Sequence, residues 1–380
     1  MRRKVLFVIW SFSYGGGAER VLSHLVRGLQ ETGYFDISLL EISHFDKAWE
    51  KLPEEVKVLS PVFDETAQGF FARGKRFAKR KLFDLSPAWA RRMSRRAGGY
   101  DVVVAFNYLL PTFLIYPGEK SISWNHGSIE DLAGNAKRRE WQREAYGNVD
   151  EIVAIAQRTA RSIVDLFPEC ASKLHIVPNG FPFAEMRRAA AVSVQEHLEP
   201  RSLLFVGRLD KNKNPCRAVR MFACVHERVP ESHLYFLGEG DELPSVQAEV
   251  ARCGLTEFVH FLGYRANPYP FIREASCVLS TSSAEGFQTV FVEALCLGVP
   301  FISTPVGAAE ELSCEGRYGA VLETPDQAAA AFEAFLQKEG DEAYGRAMRK
   351  FVERYSVSSQ VNAFCDLIDK VLEGKGEELA

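Results

Sequence analysis

The strongest constraint on this chain's fold is a rhythm in its apolar residues. Short unbroken runs alternate with longer amphipathic stretches, and the alternation occurs twice. In the first half the runs fall at 5–10, 37–42, 56–59, 102–106, 121–124, 151–155 and 174–177. In the second half they fall at 203–207, 233–237, 258–262, 277–280 and 299–303. Apolar runs without polar alternation belong to strands covered on both faces, and strands alternating with helices give parallel sheets. The expected class is α/β, with two Rossmann-like domains whose parallel sheets face one another across a cleft. A length of 380 residues agrees, because it exceeds what one hydrophobic core sustains. Pro178-Asn179-Gly180 is a turn between the halves, and the polar, Ala-rich stretch after it shows no strand pattern. The domains are therefore drawn at 1–185 and 201–355, with a linker at 186–200. An amphipathic helix within 356–380 closes the chain and is free to pack back on the first domain.

A hydrophobic content of 47%, a charged content of 25% and a net charge of −4 describe an ordinary globular chain and argue against a general nucleic-acid binder. No apolar run approaches the roughly 18–20 residues needed to span a bilayer. Met1-Arg2-Arg3-Lys4 and the run at 5–10 lack the length and cleavage site of a secretory signal, so they read as a buried first strand of a cytoplasmic protein. The eight cysteines show no C-x-x-C spacing and read as reduced small hydrophobes, not as a disulfide or zinc framework.

In open parallel sheets ligands bind beyond the carboxyl ends of the strands. After the first strand stands Gly15-Gly16-Gly17, followed by a helical run. Such a loop lets backbone approach an anion at a helix start, or simply makes a tight turn. It is not the G-x-G-x-x-G fingerprint, and no acid is expected at the end of the second strand to hold a ribose, which argues against an NAD site. His126, followed by Gly127, ends the strand at 121–124, where it either meets a substrate or is satisfied within its loop. Between Ala72 and Ala97 lie ten Arg or Lys against one acid, Asp84. A helical projection puts Phe70, Phe71, Phe77, Ala78 and Leu82 on one face and Arg73, Arg76, Lys79 and Arg80 opposite. This basic face is either solvated or holds an anionic membrane or a diphosphate. Pro87 ends this helix or starts the next.

Two segments of the second half carry the chemistry. Gly207-Arg208 closes a strand, and Lys213 follows five residues after Arg208. Two cations there can neutralise a diphosphate, the arginine by a bidentate fork and the lysine as a point charge; Lys211 could replace Lys213. Further on, Glu285-Gly286-Phe287-Gln288-Thr289-Val290 leads into a helix that carries Glu293. The N–H groups of Gln288, Thr289 and Val290 would face an anion, with the two carboxylates accepting hydroxyl hydrogen bonds on either side.

These segments resemble those of the retaining glycosyltransferases of family four, which have the GT-B fold, over nearly the whole chain. Glu285 and Glu293 match that family's E-x7-E signature. Gly16-Gly17-Ala18-Glu19-Arg20, His126-Gly127 and Pro178-Asn179-Gly180 fall in the family's order. The resemblance implies that Arg208 and Lys213 hold the donor diphosphate, Glu293 the ribose and Glu285 the transferred sugar. It implies that His126 contacts that sugar and that Gly16 and Gly17 line the cleft. Gly238-Glu239-Gly240 and Gly263-Tyr264-Arg265 resemble the loops near the base. Gln288 departs from the glycine common at its position, and its side chain is expected to narrow or re-aim the sugar pocket.

Together with the basic segment, these motifs resemble those of bacterial enzymes that extend polyprenyl-diphosphate-linked oligosaccharides, often with N-acetylhexosamines. The resemblance implies a UDP-sugar co-substrate, no bound cofactor, a lipid-linked or free glycan acceptor and a peripheral place at the inner membrane face. It also implies front-face attack with the departing phosphate as base, and hinge closure on donor binding. The chain has no D-x-D pair, so activity without metal is expected. Three competing readings are a nucleotide-sugar epimerase, a phosphorylase and a non-catalytic sugar-binding module. The phosphorylase lacks a candidate pyridoxal-phosphate lysine motif, and the intact set of Arg208, Lys213, Glu285 and Glu293 argues against the module.

Overall fold

A computed structural model of the chain describes residues 2–14, 17–47, 51–66, 70–83, 86–94, 98–127 and 129–374, with backbone alone at 70–73, 75, 76 and 82. The chain divides into two compact units, one of Met1–Phe181 with Tyr355–Ala380 and one of Pro182–Arg354.

In the first unit the strands are β1 (Arg3–Ile9), β2 (Phe35–Glu41), β3 (Ser43–His44), β4 (Lys57–Val58), β5 (Phe63–Asp64), β6 (Val102–Ala105), β7 (Ser121–Asn125), β8 (Glu151–Ala154) and β9 (Leu174–Ile176). Seven of them make one sheet in the order β4-β2-β1-β6-β7-β8-β9, and β3 pairs with β5 alone. Every pairing is parallel. Period-two geometry sends alternate residues of β1 to opposite faces. Leu6 and Val8 join the core with Leu40, Val103 and Ile152. Phe7 faces the other way and stacks on Phe364, with ring centroids 5.7 Å apart.

Phe364 belongs to the closing helix Val357–Glu373, so this helix is part of the first unit. The Ser356 hydroxyl caps it by accepting from Ser359 N–H. Its apolar stripe of Val361, Phe364, Leu367, Ile368 and Val371 is buried. Ion pairs from Arg3 to Asp369 and from Glu151 to Lys370 fasten its far end to the sheet.

The second unit contains β10 (Ser202–Val206), β11 (His233–Leu237), β12 (Val259–Gly263), β13 (Cys277–Ser280), β14 (Phe301–Ser303) and β15 (Gly319–Val321). They form a parallel sheet in the order β12-β11-β10-β13-β14-β15. The first strand of the unit lies mid-sheet and the order reverses between β10 and β13, which makes that junction the topological switch point.

The expected linker at 186–200 is instead part of the second unit. Phe183–Ala190 is a helix whose Phe183, Met186 and Ala190 are buried. Asn267 Nδ2 donates to Ala189 O at 2.9 Å, and Glu274 accepts from Leu198 N–H at 3.1 Å. The Ala-rich composition belongs to an amphipathic helix, and the boundary between units falls at Phe181, with a second crossing at Tyr355.

The basic segment forms the helix Phe70–Phe83, and Pro87 begins a second one, Pro87–Ser94. Its orientation differs from the projected one. Phe77 is 63% exposed, whereas Phe83 is buried edge-on against Phe63. Lys79 and Arg80, expected on the ligand-facing side, turn inward. Lys79 donates to Val62 O, and Arg80 reaches Glu65 at 2.6 Å and the Ser43 hydroxyl at 2.9 Å. Both cations lie over the Phe63 ring, so their charge is already engaged. The side chains of Arg73, Arg76, Phe70, Phe71 and Leu82 lie outside the described residues. Among the described residues no helix is long and apolar enough to cross a membrane.

Candidate active site

The carboxyl end of β10 is built from glycines that permit backbone-to-backbone contact. Gly207 and Gly238 take φ of +148° and +151°. A Cβ on Gly238 would lie 1.9 Å from Gly207 O, and one on Gly240 2.3 Å from Leu209 O. Gly238 N–H donates to Gly263 O at 2.9 Å, and Tyr264 N–H reaches Glu239 Oε1 at 3.3 Å. The loops after β10, β11 and β12 thereby form one continuous floor. Tyr264 is exposed, and Arg265 is ion-paired with Glu196.

Beyond Gly207, Asp210 shapes the loop by accepting from Lys213 N–H at 2.9 Å. Asn214 takes a left-handed φ of 49°, and Pro215 starts the next helix. The segment after β13 is bound to this loop. Ser283 N–H donates to Asn212 O at 2.7 Å, Asn212 Nδ2 to Ala284 O at 3.0 Å, and the Thr281 hydroxyl to Asn214 O at 2.9 Å. These bonds bring together two residues 72 positions apart: Lys213 Nζ lies 2.5 Å from Glu285 Oε1. Both are largely covered, with side chains 25% and 14% exposed. A charge-assisted bond of this kind orients both partners at the switch point.

Arg208 is not in that pair. Its side chain is 82% exposed and its guanidinium lies 3.2 Å from Asp210. Lys211 is exposed, so Lys213 is the lysine that the fold aims inward. Gly286 is half-buried, Phe287 is buried, and Thr289, Val290 and Glu293 are half-buried in the helix Thr289–Leu297.

The expected role of Gln288 is corrected. It is 2% exposed, and its amide turns to the loop after β14, donating to Val306 O at 2.5 Å and accepting from Ala308 N–H at 3.0 Å. With both amide groups used there, the side chain is not presented to open space, as narrowing a pocket would require.

In the first unit His126 follows β7 and packs 4.0 Å from the Phe106 ring and parallel to Trp124. Both ring nitrogens are buried, without a hydrogen-bond partner among the described residues. Burial pushes its pKa down to about 3, so the imidazole is neutral at neutral pH. The unfolded chain takes up this proton near pH 6.5, while the native ring refuses it until about 3. Stability is therefore complete above pH 6.5 and is lost as pH falls towards 3. Between pH 6.5 and 5 the expected loss is about 2 kcal/mol, and His126→Phe should flatten that slope. Parallel stability curves for the two proteins over this range would contradict it.

Gly16 lies outside the described residues, and Gly17 opens an exposed helix start where a Cβ would meet nothing within 4 Å. The expectation that no acid ends the second strand is overturned. Glu41 is the last residue of β2, 4% exposed, and its Oε1 accepts from Phe12 and Ser13 N–H at 2.5 and 2.6 Å. Its Oε2 holds His44 Nδ1 at 2.7 Å. The carboxylate is thus committed to the loop after β1 and fills an anion position from within. A cavity of about 380 Å³ beside that loop is lined by Trp10, Phe63, Arg80, Leu109, Arg138 and Trp141. Its walls come from six separate segments, which no local motif announces.

Two parallel-sheet Rossmann-like units, the second with a lysine–carboxylate pair at its switch point, define a protein of the GT-B class. Residues 15–185 match the family model "Glycosyltransferase Family 4", and residues 200–338 match "Glycosyl transferases group 1". The chain belongs to the family-four glycosyltransferases. It is 28% identical over 164 residues to an uncharacterized glycosyltransferase of Methanocaldococcus jannaschii, a match spanning 42% of this chain and only 40% of that relative. It is 25% identical over 340 residues, 86% of this chain and 87% of the relative, to the Campylobacter jejuni GalNAc-alpha-(1->4)-GalNAc-alpha-(1->3)-diNAcBac-PP-undecaprenol alpha-1,4-N-acetyl-D-galactosaminyltransferase. The fold is similar to that of Anabaena Alr3699/HepE, solved in complex with UDP, with a TM-score of 0.72 at 16% identity, covering 96% of this chain and 99% of the other.

Proposed function

We propose that this chain is a retaining, metal-independent glycosyltransferase that moves a hexose or N-acetylhexosamine from a UDP-sugar to a glycan, in particular one carried on a polyprenyl diphosphate. The observation that carries this reading is the Lys213–Glu285 pair at the switch point of the second sheet, 2.5 Å apart. In this reading Lys213 and Arg208 neutralise charge building on the β-phosphate, Glu285 holds the transferred sugar and Glu293 the ribose. The exposed Arg208 is free to swing onto phosphate oxygens, whereas His126, with both ring nitrogens buried, presents no hydrogen-bonding edge to a sugar among the described residues. The acceptor hydroxyl attacks from the face the diphosphate leaves, and the departing phosphate takes its proton. The protein's contribution is positioning and charge stabilisation.

The Campylobacter relative, which matches 86% of this chain and names a diphospho-undecaprenol-linked acceptor, supports the acceptor class. The test is transfer from UDP-sugars to a short-chain polyprenyl-diphosphate-linked glycan in EDTA, with the product anomer read by NMR. An α-linked product from an α-linked donor is expected; inversion, or activity only with added Mg²⁺ or Mn²⁺, would contradict the reading.

Peripheral contact with an anionic membrane belongs to the same proposal and rests on the basic segment from residue 73. Because Lys79 and Arg80 are engaged internally, Arg73 and Arg76 are the residues to neutralise. Flotation with phosphatidylglycerol vesicles should carry the wild type and lose the Arg73→Gln/Arg76→Gln variant. Equal flotation of the two would dispose of the contact.

A further inference from the structure

We infer that Gln288 and Gly307 form an interlock that fixes the start of the helix Thr289–Leu297 against the loop after β14, making Gln288 a positioning residue for the donor diphosphate and not a reader of the sugar. The inference rests on the proposed donor site only in what the helix start binds; the interlock itself is a matter of geometry.

Gln288 stands immediately before the helix with extended backbone, φ −85° and ψ 96°, and its side chain does not cap its own helix. Instead the amide spans to the neighbouring loop, with Nε2 on Val306 O and Oε1 on Ala308 N–H. The loop is shaped to receive it. Gly307 takes φ +56°, and the three atoms nearest an added Cβ all belong to Gln288, with Oε1 at 2.5 Å, Cδ at 3.0 Å and Nε2 at 3.1 Å. Any side chain at 307 would therefore expel the amide that holds both neighbours of 307. A second tie joins the same segments one layer deeper, where the Thr304 hydroxyl donates to Ser282 O at 2.7 Å and Thr304 N–H to Ser280 O at 3.2 Å. The Glu285-bearing loop, the helix start and the loop at 304–308 consequently move together. A buried amide that satisfies two backbone groups sets position by geometry, since a partner lost there leaves a buried group unpaired.

The consequence concerns which ligand atoms feel a change at 288. A side chain that touched the sugar would alter binding of a UDP-sugar and leave UDP alone unaffected. A residue that sets the helix start alters both by the same factor, because the diphosphate is common to both.

The experiment uses the full chain and its Gln288→Gly, Gln288→Glu, Gly307→Ala and Gln288→Gly/Gly307→Ala variants. Calorimetry measures affinity for UDP and for the UDP-hexose that wild type binds most tightly; hydrogen exchange follows the peptides at 286–293 and 304–311. Gln288→Gly is expected to weaken both ligands equally, by about tenfold for the two lost bonds, and to speed exchange in both peptides together. Gln288→Glu, which keeps an acceptor for Ala308 but loses the donor to Val306, should fall between. Gly307→Ala should cost about as much as Gln288→Gly in the wild-type background and less than twofold once Gln288 is gone. Weakening of the UDP-hexose alone, or an equal cost of Gly307→Ala in both backgrounds, would overturn the inference. The exchange arm needs no ligand: unchanged exchange at 304–311 in Gln288→Gly refutes the interlock, whereas faster exchange with no UDP binding to wild type refutes the donor site instead. Thermal melting of every variant identifies any that does not fold, and Gln288→Glu, the smallest change, then decides.

Discussion

Arg208→Ala should lower turnover by about 10²–10³-fold, the cost of removing one charge-stabilising donor from a transition state, while leaving the fold untouched. The side chain is 82% exposed and pairs with the partly exposed Asp210 on the same loop, so its truncation opens no cavity and strands no buried charge. Surface changes of this kind stay within about 0.5 kcal/mol of stability. Lys213→Ala makes the instructive contrast. It removes the cation from beside the largely covered Glu285, so a loss of activity there mixes chemistry with a carboxylate left without its partner. Arg208 is therefore the cleaner probe. Measured turnover within threefold of wild type would remove Arg208 from the donor site.

Gly238→Ala is expected to destabilise the second unit by about 5 kcal/mol or more, in the exceptional range for a single substitution. A Cβ would sit 1.9 Å from Gly207 O, and φ of +151° is a conformation that alanine rarely adopts. The obstructing atom belongs to the backbone of the loop that leads to Arg208 and Lys213, so it cannot rotate away as a side chain would. Because folded domains are stable by only about 5–15 kcal/mol, most of the variant should be unfolded or insoluble. A soluble Gly238→Ala protein with the wild-type urea midpoint would show that the loop tips are not packed as described.

Most of the fold was legible because its central strands, such as β1, β6, β8 and β13, are buried on both faces and therefore appear as short, mostly apolar runs. What escaped notice did so for identifiable reasons. Gly319–Val321 is only three residues long and follows a left-handed turn region, so it lacks the length by which a run announces itself. Glu41 was hidden because Ile42 extends the apolar run by one residue, which moves the apparent end of the strand past the acid. The helix Phe183–Ala190 looked like a linker because its buried face consists of Met186 and Ala190 with Phe183, a stripe too sparse to stand out in a polar stretch.

At the site, residue types and spacing pointed to Lys213 and Glu285, which the fold brings within hydrogen-bond distance. Directions were harder. A helical projection sorts residues into faces but does not say which face the protein covers, and so Lys79 and Arg80 turned out to point inward. The direction of Gln288 depends on Val306, Gly307 and Ala308, about twenty residues on, and no local pattern encodes it.

The most direct test of the donor site is calorimetric titration of the wild type, Arg208→Ala and Glu293→Ala with UDP-, GDP- and ADP-sugars in EDTA. The account predicts that UDP-sugars bind the wild type without metal and that each variant binds at least tenfold more weakly. Wild-type affinity in both variants, or no binding of any nucleotide sugar to the wild type, would contradict it.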